Sequence, residues 1–287
     1  MRLDDSRESD NIEDRRGVRM PLRGGGRIGL GAIVLALVAI YFGADPAAVL
    51  QGLLGGAPEI SYSTGQRSAP ANDAESRFVS KVLADTEDTW AALFKQKGWG
   101  AYRQPRLVLY SGATPTACGT GQSAMGPFYC PGDSKVYLDL GFFRQMTQEL
   151  DSPGDFAQAY VIAHEIGHHV QHLRGITDKV DALRQTSSAT RSNHMSVRVE
   201  LQADCFAGVW AHHSDSQRNT LEPGDIEEGL NAANAIGDDR LQQRAQGYAV
   251  PDSFTHGTSA QRVQWFTRGF KSGDPAQCDT FNSASLG

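Results

Sequence analysis

"DSPGDFAQAYVIAHEIGHHVQHLRG", residues 151–175, carries apolar residues at helical spacing, with Ser152 or Asp155 as a cap and Gly175 as a stop. Inside it, "YVIAHEIGHHVQH" (160–172) sets four histidines and a glutamate in a stretch that otherwise reads as a buried helix. Positions four apart lie one above the other on a helix, so His164 and His168 can direct ring nitrogens at one ion. Glu165 is rotated from His164 by about 100°. It therefore reaches the ion's water and not the ion, as a general base must. This is the H-E-x-x-H arrangement, in which zinc lowers the water's pKa and the glutamate takes its proton. The competing explanation is a coincidence in a histidine-rich helix, and the rest of the chain decides.

The 287 residues, 40% hydrophobic, can bury one good core or two small ones. A net charge of -6 argues against a nucleic-acid partner, which calls for a basic face. "IGLGAIVLALVAIYFGA", Ile28 to Ala44, has no charged residue, and five arginines (15, 16, 19, 23 and 27) precede it. It lies at the short end of what spans a hydrocarbon core. The positive-inside rule then keeps residues 1–27 cytoplasmic and sends the rest across. A cleaved signal peptide would need a shorter charged region and a better cleavage site than "FGADPA", and a core helix would seldom carry arginines on one flank alone. The expected layout is a disordered tail (1–27), one transmembrane helix (28–44), a Gly/Ser/Ala/Pro-rich linker (45–71) and a domain (72–287). That makes the protein single-pass, with its domain on the far side of the membrane from residues 1–27.

Within the domain, the spacing of Phe78, Val82, Thr86, Trp90 and Leu93 predicts a helix over 74–96. "RLVLYS" (106–111) predicts a strand, and "GPFYC" with "KVYLDL" a hairpin turned by "PGDS". "GFFRQMTQEL", "RVELQADCFAGVWAHH", "GDIEEGLNAANAIGDDRLQQR" and "SAQRVQWFTRGFKS" read as helices. A few strands followed by many helices implies an α+β fold.

A catalytic zinc usually takes three protein ligands. The metzincin extension fails, because Gln171 and Arg174 stand where glycine and histidine are required. "RVELQAD" offers Glu200 as the third ligand, with Asp204 one turn on to hydrogen-bond a ligand histidine. His172 is the other option, though each four-residue step turns about 40°, which leaves it about 80° past His164. His169 points away, and His194, His212 and His213 read as non-ligands.

"HEIGHH" followed by "ELQAD" resembles the glutamate-zincin pattern. "AHEIGHHVQ", "ELQADCFAGVWA" and "THGTSAQR" resemble a bacterial family of membrane-anchored neutral zinc metallopeptidases along nearly the whole chain. That resemblance implies a zincin-like fold, mostly helical with a small antiparallel or mixed sheet, one zinc ion, peptide or protein substrates, and a place in the bacterial inner membrane with the domain periplasmic or extracellular. A further likeness is to integral-membrane peptidases of the CAAX-protease type, which carry H-P-x-x-x-x-R after the glutamate helix. Here His256 and Arg262 keep the interval, with Gly257 in place of proline. The likeness implies that His256 stabilises an oxyanion and that Arg262 braces the site or Asp204. A capping loop with Thr258 or Ser259 as the cap is the plainer alternative.

Zincins usually present an edge strand to substrate, and the hairpin upstream of residue 151 could serve so or be scaffold. Cys118 and Cys130 flank a Gly-rich segment where a bridge would fasten a long loop. Cys205 points away from Glu200 by about 140°, which suits a distant partner such as Cys278. Disulfides suit a non-cytoplasmic domain, and no C-x-x-C pair favours metal ligation instead. The chain therefore reads as a zinc metallopeptidase with His164, His168 and Glu200 as ligands and Glu165 as base. The rival is a non-catalytic zinc scaffold, and a non-peptide amide or ester would use the same site.

Overall fold

The computed structural model describes residues 1–17 and 73–282. The expected anchor, 28–44, and linker, 45–71, lie outside these. Among the described residues no helix is long and apolar enough to cross a membrane.

Helix α1 (Ala74–Lys97) starts where Asp73 accepts the Ser76 N–H at 2.8 Å and stops at Gly98, which takes the left-handed conformation. Its apolar positions recur every third or fourth residue, so Val79, Val82, Leu83, Trp90 and Phe94 form one buried stripe.

The sheet comprises β1 (Ile12–Asp14), β2 (Arg106–Tyr110), β5 (Phe128–Cys130) and β6 (Lys135–Asp139) in the order β1-β2-β6-β5. β2 and β6 pair in parallel and β5 folds back antiparallel on β6, which puts Phe128 opposite Tyr137. In β2, Leu107 to Tyr110 are all buried, as a strand covered on both faces requires. A separate hairpin, β3 (Ala113–Thr116) with β4 (Gly119–Gln122), was not evident from the sequence. The Cys118–Cys130 disulfide ties it to β5.

β1 is the main departure from expectation. The tail over residues 1–17 is not disordered: β1 runs parallel to β2, and Leu3 and Ile12 enter the core. A run as charged as "NIEDRR" gives no strand signal. Its charges are instead neutralised in place, Arg15 on Glu13 and Arg16 on Asp14 and Asp73.

The helices follow as α2 (Gly141–Glu149), α3 (Asp155–Leu173), α4 (Ile176–Arg184), α5 (Ala189–Arg218), α6 (Asp225–Ala235), α7 (Asp238–Gln246) and α8 (Ser259–Ser272). The expected single helix over 224–244 is broken at Ile236 and Gly237, and α5 begins nine residues before the stretch quoted for it. Neither Ser152 nor Asp155 caps α3. Gly154 occupies the cap, and Glu228 of α6 accepts the Phe156 N–H at 3.1 Å.

Two close crossings position the site. α3 meets α5 at Gly167, where an added Cβ would lie 3.0 Å from the Ala203 carbonyl oxygen. α5 meets α8 where Gly208 and Gly269 let backbone touch backbone, because any side chain would overlap the Phe266 or Cys205 carbonyl. The second disulfide, Cys205–Cys278, fastens the end of the described chain to α5.

Candidate metal centre

Gly167 lies between His164 and His168 on α3, and Ala203 lies between Glu200 and Asp204 on α5. The crossing at these two small residues therefore sets both pairs of side chains face to face. His164 Nε2 is 3.1 Å from His168 Nε2 and 3.1 Å from Glu200 Oε2, and His168 Nε2 is 3.4 Å from Glu200 Oε1. The three donor atoms lie within 4.8 Å of one another. Two donors each about 2.1 Å from an ion, at a tetrahedral angle, stand about 3.4 Å apart. The spacing and the two-imidazole, one-carboxylate donor set both fit zinc.

The ring orientations are set from behind. His164 Nδ1 donates to Asp204 Oδ1 at 2.9 Å, and His168 Nδ1 to Gln171 Oε1 at 2.9 Å, so both rings turn Nε2 toward the centre. Gln171 is itself fixed: its Nε2 donates to Val199 O at 2.7 Å and to Gln202 Oε1 at 3.1 Å, and Gln202 donates on to Cys278 O.

Asp204, fully buried, also accepts the Tyr160 hydroxyl and a two-pronged contact from Arg262, with Nε and Nη2 each at 2.9 Å. Burial alone would raise the Asp204 carboxyl, but Arg262 and His164 outweigh it and hold the group below its ordinary value. Burial opposes charge on His164 too, yet Asp204 and Glu200 push the ring up to about 10.

Glu165, nearly buried, lines the same cleft without belonging to the donor trio. That cleft, about 610 Å³, has a polar floor of His164, Glu165, His168 and Glu200. Met125, Phe128, Phe142, Val161, Ile236 and Leu241 are the larger part of its apolar lining. Phe128 and Tyr129 of β5, an edge strand, are among the residues that line it.

His256 stands at the cleft, half-exposed. Asp238, the first residue of α7, fixes it: Oδ2 accepts the N–H groups of Thr255, His256 and Gly257, and Oδ1 lies 3.1 Å from His256 Nδ1. That hydrogen bond raises the His256 pKa against the opposing effect of burial. Thr258 caps α8 in a reciprocal box with Gln261, so the loop serves as a cap and also holds the histidine.

The structure takes His172 away from the centre. Its Nδ1 meets the Tyr129 hydroxyl at 2.6 Å, beneath β5. His169 is buried there as well. Its Nε2 donates to Arg103 O, its Nδ1 meets the same hydroxyl, and burial pushes the ring down to about 4. His212 and His213 bond to the carbonyls of Phe270 and Gly273. Three residues of the arrangement were given no part in the site by the sequence: Tyr160, Gln171 and Asp238. Tyr160 and Gln171 had a signal, since they stand four before His164 and three after His168 on one helix face.

An α+β domain in which one helix carries H-E-x-x-H and a partner helix returns a glutamate and a buried aspartate has the donor arrangement of a candidate zinc centre. The chain belongs to the family described as "Putative neutral zinc metallopeptidase", whose model matches residues 1–281. It is 54% identical, over 99% of its own length and 100% of the other's, to a protein of Escherichia coli K12 named "Uncharacterized protein YpfJ". It is 42% identical to "Uncharacterized protein Rv2575" of Mycobacterium tuberculosis, over 87% of each chain. No solved structure matches it.

Proposed function

We propose that the protein is a zinc-dependent peptidase of the cell envelope, with His164, His168 and Glu200 as the metal ligands. The observation that carries this is the convergence of those three donors at tetrahedral spacing, beside a carboxylate and an apolar-walled cleft. When bound, zinc supplies a Lewis acid that brings a water's pKa to about 7.

The protein's own groups do the rest. Glu165 accepts the attacking water's proton and returns it to the leaving amine. His256, its Nδ1 engaged by Asp238, keeps Nε2 to donate to the oxyanion as the carbonyl becomes tetrahedral. Arg262 and Tyr160 lock Asp204 and, through it, the His164 ring. Peptide backbone adds along the free edge of β5, which fixes the scissile bond over the floor of the cleft. Two disulfides support an oxidising compartment, periplasmic or extracellular, with membrane attachment through the apolar run 28–44.

The test compares the full chain with Glu165→Gln, measuring zinc by elemental analysis and cleavage of an unfolded protein substrate. Wild type should hold about one zinc per chain. The variant should keep that zinc while losing on the order of 10²–10⁴ in rate, the usual worth of a positioned base. Equal rates would refute the mechanism, and a zinc-free wild type that resists reconstitution would refute the site.

A further inference from the structure

Residues 1–17 and 73–282 belong to one folded body. β1 pairs with β2 in parallel at Ile12↔Leu107, Glu13↔Val108 and Asp14↔Leu109. On the α1 side, Glu87 is 1% exposed, and its carboxylate is held by Arg7 Nη2 at 2.8 Å, Ser9 Oγ at 2.6 Å and Asn11 Nδ2 at 2.8 Å. Without the tail a buried carboxylate would lose these partners, so the segment is a structural part of the domain.

The two ends of the intervening stretch also meet. Arg16 Nη2 lies 2.8 Å from Asp73 Oδ2, so residues 16 and 73, on either side of that stretch, are neighbours in the folded body. A hydrocarbon core about 30 Å thick cannot stand between groups so placed. The apolar run itself, Ile28 to Ala44, would reach only about 25 Å as a helix at 1.5 Å per residue. The arginine excess that argued for a cytoplasmic tail is also reduced, because Arg15 and Arg16 are spent on Glu13, Asp14 and Asp73.

We propose that residues 1–17 and the metal-centre domain lie on the same side of the membrane. This replaces the single crossing expected from hydropathy, and it does not depend on whether the centre is catalytic.

The experiment uses the full chain in spheroplasts of a bacterial host and a membrane-impermeant maleimide. Among the described residues all four native cysteines are bridged and should stay silent. Reporter cysteines go at exposed positions, Glu8→Cys in the tail and Lys179→Cys in the domain, with Asp5→Cys and Asp178→Cys as second variants. The tail and domain reporters should label to the same extent, before and after permeabilisation, with a ratio near one. If one side labels in intact spheroplasts and the other only after permeabilisation, the proposal is overturned.

Discussion

Gly167 and Ala203 face each other where α3 crosses α5, and a methyl group on Gly167 would lie 3.0 Å from the Ala203 carbonyl oxygen and 3.1 Å from its Cα. Both obstacles are backbone, so neither can swing aside. Gly167→Ala must push the helices apart by a few tenths of an ångström, between the two histidines and opposite Glu200. Overpacking of this kind costs about 1–3 kcal/mol. The expected result is a lower melting temperature together with weaker zinc binding, read by denaturation and by competition with a chromophoric chelator. Unchanged zinc affinity would show that the crossing does not set the donor spacing.

Gln171 supplies a second, milder test of the same geometry. It accepts from His168 and passes the constraint to Val199 and Gln202. Loss of such outer partners typically costs 10–100-fold in metal affinity. Gln171→Ala should show that loss with little change in helix content by circular dichroism. An affinity within twofold of wild type would mean that His168 is oriented by its own packing.

The elements that were legible in the sequence are those whose partners are near in the chain. The β5–β6 hairpin announces itself through its turn, and α8 through its apolar spacing, and both stand where expected. β1 does not, because what makes Ile12–Asp14 a strand is β2, some ninety-five positions away at Leu107. Three residues with two charges carry no period of their own. The site divides in the same way. His164, His168 and Glu165 share one helix, and helical geometry alone brings the first two together. Gln171 and Tyr160 were within reach of that same reasoning. Asp238, by contrast, meets His256 only because α7 starts beneath the loop before α8, and no spacing rule predicts that.

The Asp238–His256 pair yields a pH dependence with a definite sign. His256 titrates above its ordinary 6.5, chiefly through its bond to Asp238. Its stabilising contribution is therefore complete below about 6.5 and is lost as pH rises through the folded-state value. Burial would raise Asp238, but the His256 hydrogen bonds more than offset it and lower the group below 3.8. That contribution is present above about 3.8 and lost as pH falls through the folded-state value. The pair thus stabilises most between these limits. With His256 half-exposed, the gain should be discounted to about 0.2–1 kcal/mol. Urea denaturation of wild type and His256→Gln at pH 5.5 and pH 9 should show a stability gap at the lower pH that shrinks at the higher. A gap that is equal at both values, or wider at pH 9, would mean that the interaction is a neutral hydrogen bond and that Asp238 does not hold an imidazolium at the cleft.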